Sequence, residues 1–420
     1  MKKQLVACEI GPNYTIHDGF VALKTLLQIP FLSIFGLPNK VESTSDYFPK
    51  HQLIKFVDSG RVGLVLLLKS LNLPDDSEVM IQGFSCVVVP NSVIQAGLKT
   101  VVCDIDEDNY NISLDHLESK KTKKTRVLII QYTFGIIPNL EHILQFCESN
   151  NIILIEDCAH ILNDKVIIFG KERCVGTLGY GSLYSFGRDK VVSSTIGGAF
   201  ALNSGSESQI KYLESSYNEL QNIPLSKIYQ ALLYCILSVF MIRPFYFYGF
   251  GKLALVLGRH IHLIGEIYTV AEKKGTAVSV QGYKFPDILL QLLHHQLGKL
   301  EQTKIHRLKI MNIYSSILKN KIDLNNPLIR YPLNVSEDSY LEIKSSLRKQ
   351  SVLVGTWYNS IFIPSEADLK LFGYTDGDAQ VCEKLVKNRV LNLPTNVNTS
   401  PKKALEIAKT IESILAVEPI

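Results

Sequence analysis

The feature that most constrains the fold is a series of short apolar runs, each the length of one buried strand, separated by segments with helical periodicity. Residues 78–82, 99–104, 126–131 and 152–156 read as strands, and 60–73, 87–96 and 140–149 as helices. The last strand, Ile152-Ile153-Leu154-Ile155, is apolar on both faces, so both faces need cover. Strand–helix alternation of this kind predicts an α/β protein with a mostly parallel sheet sandwiched by helices. Ligand-binding residues in such sheets gather beyond the carboxyl ends of the strands. Gln131, Asp157 and Ser185 all fall at such ends.

The segment Tyr184-Ser185-Phe186-Gly187-Arg188-Asp189-Lys190 places one lysine between an aromatic strand end and the pair Gly197-Gly198. Thirty-three residues before that lysine, Asp157 closes an apolar run. A carboxylate at a buried strand end, followed by a lysine on a Ser/Gly-rich loop, is the set that pyridoxal phosphate (PLP) chemistry needs. The amine condenses with the cofactor aldehyde. The carboxylate keeps the pyridine nitrogen protonated, so the ring takes up electrons. Nearby positive charge and desolvation should lower the pKa of Lys190 and fit it for proton transfer. The pair Ser59-Gly60, with Arg61, opens the first long helix, where free backbone amides suit a phosphate.

These motifs, in this order and spacing, resemble the DegT/DnrJ/StrS group of PLP-dependent aminotransferases of fold type I. Glu156-Asp157-Cys158-Ala159-His160 fits the group's acidic motif. Ser185 stands five residues before Lys190 and Gly197 seven after it, again as in the group. The likeness runs from about Phe56 to the C-terminus and is poor near 205–275. It implies a large PLP-binding domain with a mixed, mostly parallel sheet and a smaller α+β C-terminal domain. It implies Lys190 and Asp157 as catalytic residues, His160 beside the phenolic oxygen of PLP, and Ser185 on its phosphate with Ser59, Gly60 and Arg61. It also implies a homodimer with the site between subunits, and amination of a keto sugar, nucleotide-linked, with glutamate as donor, in cell-surface polysaccharide or glycoconjugate synthesis. Three positions depart from the group. Ile196 stands where the group has Glu. Cys86 stands where an aromatic residue would stack on the cofactor, with Phe84 two residues earlier as the alternative. Gly282-Tyr283-Lys284-Phe285 lacks the asparagine that the group sends to the partner's phosphate, and Lys284 retains the positive charge. Trp357, Tyr358, Tyr132 and Phe134 are the candidate substrate contacts. A sugar dehydratase is the runner-up within the same fold, although such proteins often replace the lysine with histidine. A membrane-associated binding protein that has lost turnover is the alternative of another class.

Length and composition suit two domains: 420 residues, 46% hydrophobic, 20% charged. The expected division is an N-terminal arm over 1–50, a large domain over 51–275, and a helical linker with the small domain over 276–420. The net charge of +4 is small, and the dense basic run at 119–124 reads as a solvated turn. No nucleic-acid motif and no metal-ligand spacing appears. Eight cysteines without a CxxC pair suit reduced thiols, and no secretory leader is visible, which points to the cytoplasm.

One stretch, about 226–262, fits none of this. Residues 231–242 carry no charge, Arg243-Pro244 interrupts them, and 245–251 is aromatic and apolar. No uninterrupted run reaches the roughly 20 residues of a bilayer span. One reading is a pair of interfacial helices with Arg243 and Lys252 near lipid headgroups, giving peripheral contact with the inner membrane face through 31–37 and 231–257. The other is a buried hairpin or a subunit contact.

Overall fold

A computed structural model of the protein describes residues 4–31, 44–276, 282–318 and 326–416. Its centre is a nine-stranded sheet. From one edge the order is Gln221–Asn222, Tyr283–Lys284, Leu53–Val57, Gly198–Leu202, Gly181–Ser185, Ile153–Asp157, Thr125–Gln131, Glu78–Gln82 and Lys99–Cys103. The five strands from Gly181–Ser185 to Lys99–Cys103 run parallel, and Gly198–Leu202 is antiparallel to both of its neighbours. The expected α/β architecture is therefore present. The apolar runs are strands because they are buried on both faces: Val79, Met80, Ile81, Val127, Leu128 and Ile155 are almost wholly inaccessible.

Register decides where the chemistry sits. Asp157 is paired with Gln131 on one side and Leu183 on the other, so the carboxyl ends of three adjacent strands align. The helix Gly60–Ser70 starts at this same edge and buries Val62, Leu64, Leu67 and Leu68 against the sheet.

The C-terminal part is built on the antiparallel pair Arg330–Asn334 and Val390–Pro394, with helices Glu337–Lys349 and Pro401–Leu415. Three short pairings cross the expected divisions of the chain. Val6–Ala7 pairs in parallel with Val352–Leu353, so the N-terminal segment is stitched to the C-terminal part. Tyr283–Lys284, expected in the linker, extends the large sheet. A third pairing, Phe362–Ile363 with Ser85–Cys86, draws the C-terminal part onto the carboxyl edge of the sheet. The linker helix is two helices, Asp287–Leu297 and Leu300–Leu318, broken at Gly298-Lys299.

The 226–262 stretch departs from expectation in a specific way. Helix Leu225–Leu237 does not stop at Arg243-Pro244 but passes through a π-turn, Ser238–Ile242, and a further turn, Arg243–Phe245. The wider turn closes on the amide of Arg243 before the residue that lacks an N–H, so the proline is accommodated. Leu225–Tyr248 thus forms 24 continuous residues containing an 18-residue window of mean hydropathy 1.7, and 44% of that window is buried in the protein. Arg243 is not near any headgroup. It is 3% exposed, and its guanidinium donates to the carbonyls of Ser238, Gly11 and Tyr14 at 3.3, 3.1 and 2.7 Å. A buried guanidinium needs such acceptors, and these carbonyls hold the insert to the N-terminal segment. Of the expected contact at 31–37, only Phe31 lies within the described residues.

Candidate active site

Lys190 lies on the loop between strands Gly181–Ser185 and Gly198–Leu202. The glycine pair fixes that loop. Gly197 has φ +120°, a conformation side chains resist. A Cβ on Gly198 would sit 2.4 Å from the amide nitrogen of Gly60, so the loop can approach the helix start only through glycine. The lysine's own backbone is held from further away. The amide of Asn13 donates to the carbonyls of Lys190 and Val191, and Arg307 donates to Val191 O and Asn13 Oδ1, both at 3.2 Å. Tyr14 hydrogen-bonds the hydroxyls of Ser193 and Thr195 at 2.7 Å.

The amine of Lys190 is 3.1 Å from His160 Nε2 and 4.8 Å from the centre of the Trp357 ring. Backbone N–H of Phe134 donates to His160 Nδ1 at 3.2 Å. Nδ1 is therefore the acceptor, and the neutral imidazole carries its proton on Nε2, directed at Lys190. In that tautomer the Nε2 proton is donated to Lys190 when the lysine is a free amine. Burial pushes the Lys190 pKa down, against the opposing pull of Cys86 and Asp157. Burial, then Lys190 and Arg330, hold His160 well below its ordinary range. The two shifts agree with the tautomer read from the hydrogen bonds.

Asp157 is buried at the strand end, where Oδ1 accepts from the amide of Ala159 at 2.9 Å. Desolvation raises its pKa, and the charge of Lys190 opposes this. Its neighbour Glu156 points the other way. Its carboxylate accepts from Tyr132 Oη and from the amides of Gly176, Leu178 and Gly179 at 2.6–3.0 Å. Glu156 is thus a structural carboxylate that pins a turn.

Lys190, Asp157, His160, Ser185, Cys86, Ser59, Gly60, Arg61, Trp357 and Tyr358 line one cavity of about 720 Å³, a size suited to a small-molecule ligand. At one end the helix Gly60–Ser70 begins with Ser59 in extended backbone and without a side-chain cap, which leaves the first-turn amides facing the cavity. Trp357 is stacked between two groups, with the His160 ring at 4.4 Å and the Arg330 guanidinium at 3.4 Å from its centre.

Five of the sequence candidates sit differently. Phe84 does not swing into the cavity. It is fully buried in an aromatic cluster with Tyr110, Phe134 and Tyr358, which leaves Cys86 alone at the stacking position. Phe134 belongs to the same cluster, and the hydroxyl of Tyr132 is engaged by Glu156. Lys284 lies outside the cavity and donates to Asn218 O at 3.0 Å. Arg61 lines the cavity, but its guanidinium is ion-paired with Glu272 and donates to Ile267 O at 2.9 Å. It secures the segment 265–272, and its charge is already paired within the chain.

That segment was not foreseen in the site. Tyr268 reaches Cys86, with its hydroxyl 3.4 Å from Sγ, and brings an aromatic ring to the place where Cys86 supplies none. Arg188 stacks on Tyr234 at 4.0 Å and donates to Gly265 O. Asp189 lines the cavity with a buried Oδ1 that has no hydrogen-bond partner, and burial raises its pKa to about 7. None of these has a sequence signal except Asp189, which is adjacent to the lysine.

Comparison with known proteins agrees with the motif reading. Residues 42–218 match the DegT/DnrJ/EryC1/StrS aminotransferase family. A GDP-perosamine synthase of Vibrio cholerae is 30% identical over 148 residues, 35% of this chain and 39% of that protein. The chain therefore matches less than half the length of that relative. Among solved structures, Helicobacter pylori PseC, an aminotransferase of pseudoaminic acid biosynthesis, superposes with TM-score 0.68 at 16% identity, covering 99% of this chain and 100% of that one. DesI, solved with its TDP-sugar product, gives TM-score 0.67 at 15% identity over 98% and 93%. At these identities the structures establish the fold, that of fold type I.

Proposed function

We propose, from the premise that residues 42–218 carry the DegT/DnrJ/EryC1/StrS aminotransferase family, that this protein is a PLP-dependent aminotransferase. It transfers an amino group from glutamate to a keto sugar carried on a nucleotide. The observation that supports this most strongly is the amine of Lys190, 3.1 Å from His160 Nε2, in one cavity with Asp157 and an uncapped helix start. That donor set fits PLP: an amine for its aldehyde, a carboxylate for its ring nitrogen, and backbone amides for its phosphate. Bound PLP would condense with amines and withdraw electrons from the carbon that loses its proton.

The chain's own residues do the rest. Lys190, whose pKa burial lowers, would as a free amine take the proton from the donor's carbon and return one to the acceptor's. Asp157 would pair with the ring nitrogen and keep it protonated. The His160 Nε2 proton holds the amine in place. Ser59, Gly60 and Ser185 secure the phosphate. The stacked Trp357 shields the cavity from water on the side of the C-terminal part. A nucleotide-linked sugar is favoured by similar proteins, a GDP-perosamine synthase and a structure holding a TDP-sugar product. We further propose a homodimer.

The assignment of Lys190 is tested by reducing the PLP-loaded protein with borohydride and mapping the modified peptide. Label on Lys190 is expected. Label on any other lysine, or none, would refute the proposed cofactor site.

A further inference from the structure

The outer surface of helix Ile16–Gln28 carries Ile16, Phe20, Leu23 and Leu27, all exposed, at spacings of three and four residues. The opposite face is buried through Asp18, Gly19, Ala22 and Thr25. Helix Phe250–His260 repeats the pattern. Phe250, Leu253, Val256 and Leu257 face outward, with Phe250 66% and Val256 63% exposed. The two stripes are joined by Phe240, whose ring meets that of Phe20 at 5.4 Å. An apolar surface of this extent on a folded chain calls for a partner.

The charge pattern selects that partner. From 220 to 265 there is no Asp or Glu, and the Lys and Arg residues are Lys227, Arg243, Lys252 and Arg259. Lys252 and Arg259 are exposed and seven residues apart, so both flank the same side of the stripe. Helix Ile16–Gln28 has a single carboxylate, Asp18, which is buried and ion-paired with Lys299 at 2.5 Å, while Lys24 is exposed. The surface therefore exposes apolar and cationic groups and no carboxylate. A second copy meeting this face across a two-fold axis would bring positive charge against positive charge with nothing to pair it. An anionic bilayer supplies both the apolar phase and the counter-charge. Spanning is not available: Phe250–His260 has 11 residues, well under the roughly 20 required, and Leu225–Tyr248 is fixed in the protein by Arg243.

We propose that helix Ile16–Gln28 and the 240–261 segment together form a docking surface for an anionic lipid bilayer, on which the protein lies flat. This inference does not depend on the chemistry assigned to the cavity.

The test is co-sedimentation of the full-length chain with phosphatidylcholine vesicles, with and without phosphatidylglycerol. Binding is expected with the anionic vesicles and is expected to weaken as salt is added. Leu253→Glu with Leu257→Glu should reduce the bound fraction about tenfold or more. Lys252→Gln with Arg259→Gln, a change that touches no core residue, should weaken binding roughly fivefold per charge removed. Far-UV circular dichroism of each variant confirms that the fold is intact. Wild-type protein that stays in the supernatant with anionic vesicles would overturn the proposal, as would acidic variants that bind as well as wild type. A wild-type dimer that these variants convert to monomer, without vesicle binding in either form, would assign the surface to a second copy and equally overturn it.

Discussion

The cavity and the 225–263 insert treat polar and apolar groups in opposite ways. In the cavity, His160 and Asp157 are buried and Lys190 is half-buried, and each is engaged by a hydrogen bond or a charged neighbour. In the insert, apolar side chains are exposed on one helix face while its one buried cation, Arg243, holds three carbonyls. Burying ionisable groups costs stability but shifts their proton affinities, which catalysis needs. Exposing apolar groups forgoes burial energy, which is regained only when a partner covers them. On the proposed reading the first region serves chemistry and the second contact.

This contrast gives a ranked set of outcomes. Lys190→Ala should abolish glutamate-dependent formation of 2-oxoglutarate, by about a thousandfold or more, while the urea midpoint changes little. Asp157→Asn should retain the fold and lower the same rate roughly a hundredfold to a thousandfold, since one preorganised charge is removed. Gly198→Ala should destabilise by about 1–3 kcal/mol in urea titration, because its Cβ meets Gly60 N at 2.4 Å.

The pH dependence follows from Asp189. Its folded pKa, about 7, is raised from 3.8. The folded state therefore binds more protons than the unfolded state between those values, and the contribution to stability is present below 3.8 and lost as pH rises through about 7. Asp189→Asn should flatten the fall in urea midpoint between roughly pH 4 and 7, the span of the shift. An unchanged slope would show that other groups govern it. The smallest effect belongs to the insert: Val256→Glu should leave stability within about 0.5 kcal/mol, since the side chain is already in water. A larger loss would mean that this face is covered within the protein itself, and the contrast would fail.

The two regions also differ in how far the sequence revealed them. The strands were legible because burial on both faces writes an uninterrupted apolar run. Lys190 and Asp157 were brought into one cavity as expected because register and loop spacing are local quantities. The directions of side chains at strand ends were not legible. Phe84, Phe134 and Tyr132 each lie one to three residues from a strand end, yet packing turns them into the cluster or toward Glu156. Tyr268 and Asn13 could not be found, since tertiary contact alone carries them, across 182 residues to Cys86 and 177 to Lys190. In the insert, Arg243-Pro244 looked like a helix end, but the π-turn before it let the helix continue and turned the arginine inward. A charge in an apolar run reads as a surface mark, and only its carbonyl partners show otherwise.

The central claim is that Lys190 is the amine on which this protein's amino transfer depends. The most direct measurement is the visible spectrum of the PLP-loaded protein beside Lys190→Ala, before and after L-glutamate, with 2-oxoglutarate assayed in the same cuvette. The account predicts a visible band in the wild type alone, which moves to shorter wavelength with stoichiometric release of 2-oxoglutarate. A band that persists without Lys190, or one that neither glutamate nor any other amino acid alters, would contradict it.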